Sequence, residues 1–114
     1  MRKFKVEVIT TKEYEIKIDE TKIDKEVLDN FERYFYDLDV EEDRIKSMAN
    51  DYCRLRATGF DGSIEGYGFV LEDGKVPFSA RFSGLEEKDI TNGIDFKVID
   101  DGTQGLEIEV EEII

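Results

Sequence analysis

Glu107, Glu109 and Glu111 alternate with Leu106, Ile108 and Val110 near the end of the chain. At 3.3 to 3.4 Å per residue, an extended run of this pattern sets its carboxylates about 7 Å apart on one face. Such a row attracts lysine and arginine side chains much as a phosphate backbone does. Glu112, Asp100 and Asp101 are close in sequence, and Asp95 is expected on the wet face of a neighbouring strand. Other chemistry has less support. There is no histidine, which removes imidazole proton shuttles, Ser-His and Cys-His nucleophiles and His-containing zinc sites. Cys53 borders a helical apolar stripe and reads as a packing residue. Asp37-Leu38-Asp39-Val40-Glu41 opens like a calcium loop, but Glu42 stands where the loop needs glycine and Met48 where it needs a bidentate acid. Gly62-Ser63-Ile64-Glu65-Gly66-Tyr67-Gly68 lacks the lysine and the following helix of a phosphate cradle. No pair of carboxylates stands out as acid and base. The chain is therefore read as non-enzymatic, with no cofactor and no metal.

The whole-chain charge agrees with an acidic contact surface. Net charge is −13, and it is unevenly placed: residues 1–57 carry 15 acids and 12 bases, residues 58–114 carry 14 acids and 4 bases. That field repels nucleic acid and draws basic partners. The expected partner is a basic nucleic-acid-binding protein, with no direct nucleic-acid contact, no membrane contact, and a monomeric or homodimeric state. Tyr34, Phe35 and Tyr36 are consecutive, so a helix cannot bury all three. Phe35 fits the apolar stripe, which leaves Tyr34 and Tyr36 as candidate contact residues. The lone cysteine and the absence of a signal-like or membrane-spanning run suggest a cytoplasmic protein.

The elements that must position these residues follow from periodicity. Phe4, Val6 and Val8, then Tyr14, Ile16 and Ile18, alternate with polar residues across Thr10-Thr11-Lys12, which reads as a hairpin. Val27, Leu28, Phe31, Phe35 and Leu38 switch to helical spacing behind Asp24 as N-cap. A second helix is predicted over about 41–57, capped by Asp39, with Glu41, Glu42 and Asp43 at its positive end and Gly59 beyond its stop. Its stripe is Ile45, Met48, Ala49, Tyr52 and Leu55. Strands are predicted over 63–71 and 76–82 about an Asp73-Gly74 turn, with Pro77 marking an edge, and again at Ile94 to Val98 and Leu106 to Val110. Gly66 and Gly68 around Tyr67 mark a bulge or a close backbone approach. The expected fold is a single α+β domain over 1–114, mainly antiparallel sheet with two helices on one face, in the order ββααββββ. One core is expected to gather Phe4, Val6, Val8, Tyr14, Ile16, Ile18, Phe31, Phe35, Ile45, Met48, Tyr52, Phe96, Val98, Ile108 and Val110.

Several stretches resemble small acidic proteins of bacterial phages and conjugative elements that have no assigned activity. They are Phe4-Lys5-Val6-Glu7-Val8, the Tyr14 to Glu20 strand, Phe35-Tyr36-Asp37, Ile64-Glu65-Gly66-Tyr67-Gly68-Phe69, Asp73-Gly74-Lys75 and Pro77-Phe78-Ser79-Ala80. In size and acidity alone the chain also looks like anti-CRISPR and anti-restriction inhibitors. The resemblance implies an accessory protein of a mobile element. That protein would be either an inhibitor of a host defence protein or a structural component assembling through a sheet edge.

Overall fold

The computed structural model describes residues 1–35, 37–38, 43–103 and 105–114, without the side chain of Arg81. The fold is α+β. Its elements are β1 (Lys3–Ile9), β2 (Glu13–Ile18), α1 (Lys25–Tyr34), α2 (Arg44–Ala57), β3 (Leu71–Glu72), β4 (Ile94–Asp100) and β5 (Glu107–Ile113), with 3-10 turns at Phe78–Ser83 and Glu87–Asp89. Contacts cluster into two units, one of Met1–Tyr14 with Val98–Ile114 and one of Glu15–Lys97.

Local signals set the helices. Asp24 caps α1 by accepting from the Val27 N–H at 3.0 Å, which offsets one of the unpaired donors of the first turn. Asp43 does the same for α2, accepting from the Lys46 N–H at 2.9 Å. The predicted cap Asp39, with Glu41 and Glu42, lies outside the described residues. Arg54 and Arg56 occupy the last turn of α2, where a cation suits the dipole, and Gly59 follows the stop with φ +105°.

Pairing is where the strands depart from expectation. β1 and β2 do not form a hairpin. β1 ladders antiparallel with β5, while β2, β4 and β3 form a separate three-stranded sheet in which β3 and β4 are parallel. The predicted long hairpin about Asp73-Gly74 is reduced to its turn. Asp73 and Gly74 both take positive φ, and Glu72 and Lys75 exchange backbone bonds of 2.8 and 3.0 Å. Beyond Lys75 the chain reaches Pro77, which supplies no N–H to a ladder, and turns into the 3-10 segment instead of a strand. Residues 63–70 are likewise not a strand. Gly68 donates to the Ile64 carbonyl at 2.7 Å and closes a tight loop.

In the Glu15–Lys97 unit, that loop drives Tyr67 inward. Its ring packs on Phe31 of α1 and Tyr52 of α2, and Tyr52 in turn meets Phe96 of β4 edge-on. The Tyr67 hydroxyl donates to Asp51 at 2.6 Å, so the buried phenol is satisfied. Ile23, Leu28, Leu38, Met48, Ile64, Val70 and Ile94 are also buried, and a smaller cluster of Val76, Ala80 and Ile90 packs with Phe69, Leu71 and Leu85. Gly66 passes so close to the helix that a Cβ would lie 2.9 Å from the Phe31 ring, and its φ is +91°. Gly66→Ala should therefore cost about 1–3 kcal/mol through overpacking and an unfavourable backbone. A urea midpoint unchanged from wild type would contradict the close approach.

The Met1–Tyr14 and Val98–Ile114 unit is built differently. Phe4, Val6, Val8, Val98, Ile108 and Val110, all expected in a common core, are 45–62 % exposed. Phe35 is also exposed, whereas Tyr14, Ile16, Ile18 and Ile45 are half-buried. Only Phe31, Met48, Tyr52 and Phe96 of the expected set are fully buried. For the β1 and β5 residues the physical reason is the pairing: two strands alone have no second layer of their own to cover either face.

Candidate functional site

The β1–β5 ladder decides what the acidic row looks like. Lys5 lies opposite Glu111, Glu7 opposite Glu109 and Ile9 opposite Glu107. Because side chains alternate, Glu107, Glu109 and Glu111 share one face with Lys3, Lys5 and Glu7. All three row residues are exposed. The ladder also adds Glu7, which was not among the expected site residues; its alternation in β1 was visible, but its strand partner was not. The Glu7–Glu109 juxtaposition sets like charges directly opposite, a locally unfavourable arrangement that a cationic ligand would relieve. A shallow depression of about 390 Å³ lies here, lined by Lys5, Glu7, Glu109, Val110 and Glu111.

The remaining expected residues divide by location. Glu112 sits on the opposite, apolar face, across from Phe4. Arg2 grips it with two contacts of 2.9 and 3.0 Å and lies over the Phe4 ring. This pairing holds the Glu112 carboxyl below its ordinary range. Asp100 and Asp101 belong to the β4–β5 turn and act on the backbone: Asp100 accepts from the Gly102 N–H, and Asp101 accepts from both the N–H and the hydroxyl of Thr103. The Thr103 hydroxyl, then its N–H, lowers the Asp101 pKa. The same turn receives a hydrogen bond of 2.6 Å from the Thr10 hydroxyl to the Gly102 carbonyl.

Asp95 is not on a strand next to the row, since β5 ladders with β1 and β4 with β2 and β3. Its carboxylate accepts from the Gly74 N–H at 3.1 Å, beside a small cleft with Glu15, Lys17, Asp73 and Lys97. Tyr34 ends α1 and is 69 % exposed. Tyr36 lies outside the described residues. The candidate contact surface is thus narrower than the sequence suggested: Glu107, Glu109 and Glu111 with Glu7, edged by Lys5.

Cys53 is half-buried, and burial pushes its thiol pKa up, away from reactivity. Among the described residues, no three His, Cys, Asp or Glu side chains are placed to hold a metal ion, and no helix is long and apolar enough to cross a membrane. Fold and surface together define an acidic α+β protein with a carboxylate-bearing two-stranded ribbon. It matches no protein family, no curated protein and no solved structure.

Proposed function

We propose that the chain is a non-enzymatic acidic binding protein that offers its carboxylate row to the basic groove of a nucleic-acid-processing protein. In the setting implied by its resemblance to phage and mobile-element proteins, it would inhibit a host defence protein by occupying the groove in place of nucleic acid. The observation that supports this reading is the shared, exposed face of Glu107, Glu109 and Glu111 with Glu7 beside them. A regularly spaced negative edge engages a groove evolved for phosphates, and the chain's −13 charge accelerates encounter with it.

Two expectations follow. The purified protein should bind neither DNA nor RNA at physiological salt, because its own field repels phosphate; submicromolar binding to a duplex or a single strand would contradict the charge argument. The second is tested by the triple reversal E107K, E109K and E111K. The immobilised wild-type chain should capture nucleic-acid-binding proteins from bacterial lysate at low salt and release them when duplex DNA is added. The triple variant should lose that set, since each reversal turns attraction into repulsion. Its fold should persist, because exposed substitutions usually change stability by less than about 0.5 kcal/mol. The matched control is the reversal of exposed Asp61, Glu65 and Glu87. Acids of α1 are unsuitable, since Asp29 holds Arg44 at 2.6 Å and Glu32 lies within 3.9 Å of it. If the control loses capture and the row variant retains it, the row is not the contact surface.

A further inference from the structure

We infer that β1 is a self-complementary edge through which two copies of this chain pair, making a four-stranded antiparallel sheet in the order β5–β1–β1–β5. This goes beyond the binding role proposed above and stands on a different observation. Among the described residues β1 ladders with β5 alone, so its other edge carries unpaired backbone donors and acceptors. The ribbon also has a fully apolar stretch on one face, where Val6 faces Val110 and Val8 faces Ile108, with Phe4 beside them, all about half exposed. A two-stranded ribbon by itself is marginal in water, and added strands that extend an apolar face favour it.

The sequence of β1 selects the partner and the register. It reads Lys3-Phe4-Lys5-Val6-Glu7-Val8-Ile9, with Val6 at its centre. Antiparallel pairing about a two-fold axis through Val6 uses the full strand. It sets Lys5 opposite Glu7 of the second copy, twice, on the polar face. On the apolar face it sets Phe4 opposite Val8 of the second copy, twice, and Val6 opposite Val6. Opposite charges and aromatic–β-branched pairs are the favourable cross-strand combinations. The neighbouring in-phase registers fail: centring on Lys5 opposes two lysines, and centring on Glu7 opposes two glutamates. Shifts by one residue set polar against apolar faces. The other free edge is excluded by charge. Antiparallel self-pairing of β5 about Val110 would set Glu109 opposite Glu111 of the second copy, twice, and pairing about Glu109 would set Glu107 opposite Glu111. A two-fold axis on β1 also closes the assembly, which limits it to a dimer.

The test is sedimentation of the full chain at about 0.15 M salt, where repulsion between two chains of −13 is screened. The wild type should approach twice its 13.2 kDa mass at high micromolar concentration. K5E and E7K should each weaken self-association at least tenfold, by setting like charges opposite one another. The double swap K5E/E7K should restore it. The swap is a fair control because it exchanges which of the two within-chain pairs, position 5 with Glu111 and position 7 with Glu109, is attractive. E7K removes the Glu7–Glu109 repulsion within the ribbon, so its loss of dimer cannot come from a weakened fold. A wild type that stays monomeric throughout would overturn the proposal. So would a dimer indifferent to K5E, which would be packed through the apolar face, or open polymers, which would join β1 to β5. Single-variant losses that the double swap fails to reverse would overturn the register.

Discussion

Phe31→Ala is expected to destabilise the protein by about 3–5 kcal/mol, a large share of the stability of a small folded protein. Phe31 is 4 % exposed, and its ring meets both Phe35 and Tyr67. Removing it opens a void bordered by Met48, Tyr67 and Ile94, which together with Phe31 line one cleft. It also takes away the surface against which Gly66 is folded. The helix itself keeps its Asp24 cap, so helical signal should survive at low denaturant while the unfolding midpoint falls. Urea unfolding followed by circular dichroism and by tyrosine fluorescence would check both. A loss under about 1 kcal/mol would mean that Phe31 is not part of the core.

Tyr52→Ala should cost at least as much, and Tyr52→Phe much less. Tyr52 is fully buried, and its ring touches Tyr67 and Phe96. Its hydroxyl accepts from Arg56 at 3.1 Å. Arg56 also pairs with Glu72 at 2.8 Å and lies 4.4 Å over the Phe96 ring, so a mostly buried cation is held on three sides. Alanine removes the aromatic surface and one of those supports, for a loss of about 3–5 kcal/mol. Phenylalanine removes only the hydroxyl, for a loss of about 1 kcal/mol. Wild type and Tyr52→Phe also differ with pH. Burial, the main cause, raises the Tyr52 pKa above its ordinary value, only partly opposed by the Arg56 hydrogen bond. The unfolded chain therefore ionises this phenol first. The stability contributed by the neutral, buried phenol is complete below about pH 10 and is lost as pH rises above it. The stability advantage of wild type over Tyr52→Phe should shrink above pH 10. An advantage that grows with alkaline pH would contradict the burial assignment.

The determinants with short reach were legible in the sequence. Asp24 caps α1 because an aspartate three residues before an amide can reach it, whatever the rest of the chain does. Asp73-Gly74 turns the chain because both residues tolerate positive φ. Gly66 marked a close approach to the Phe31 ring, whereas Gly68 has open space around it and owes its glycine to a positive φ of 71°. Phe31, Met48, Tyr52 and Phe96 were identifiable as core, three by helical spacing and one by strand alternation. The alternation of Glu107, Glu109 and Glu111 likewise predicted one shared face, and they share one.

What lay beyond the sequence was which strand sits beside which. Period-two alternation states that a strand has two faces, and it is silent about its neighbour. Thr10-Thr11-Lys12 connects β1 to β2 over three residues but offers no glycine or asparagine for the left-handed position that such hairpin loops favour. Thr10 bonds the Gly102 turn instead, and β1 takes β5 as its partner from across the chain. That tertiary choice set Phe4 opposite Glu112 and Arg2 within reach of its carboxylate, separated Asp95 from the row's ladder, and brought Glu7 and Lys5 alongside the glutamates. Composition and periodicity thus determined the acidity, the helices and the row. The ladder alone decided which charges stand next to that row, because cross-strand neighbours are set by pairing between residues about a hundred positions apart.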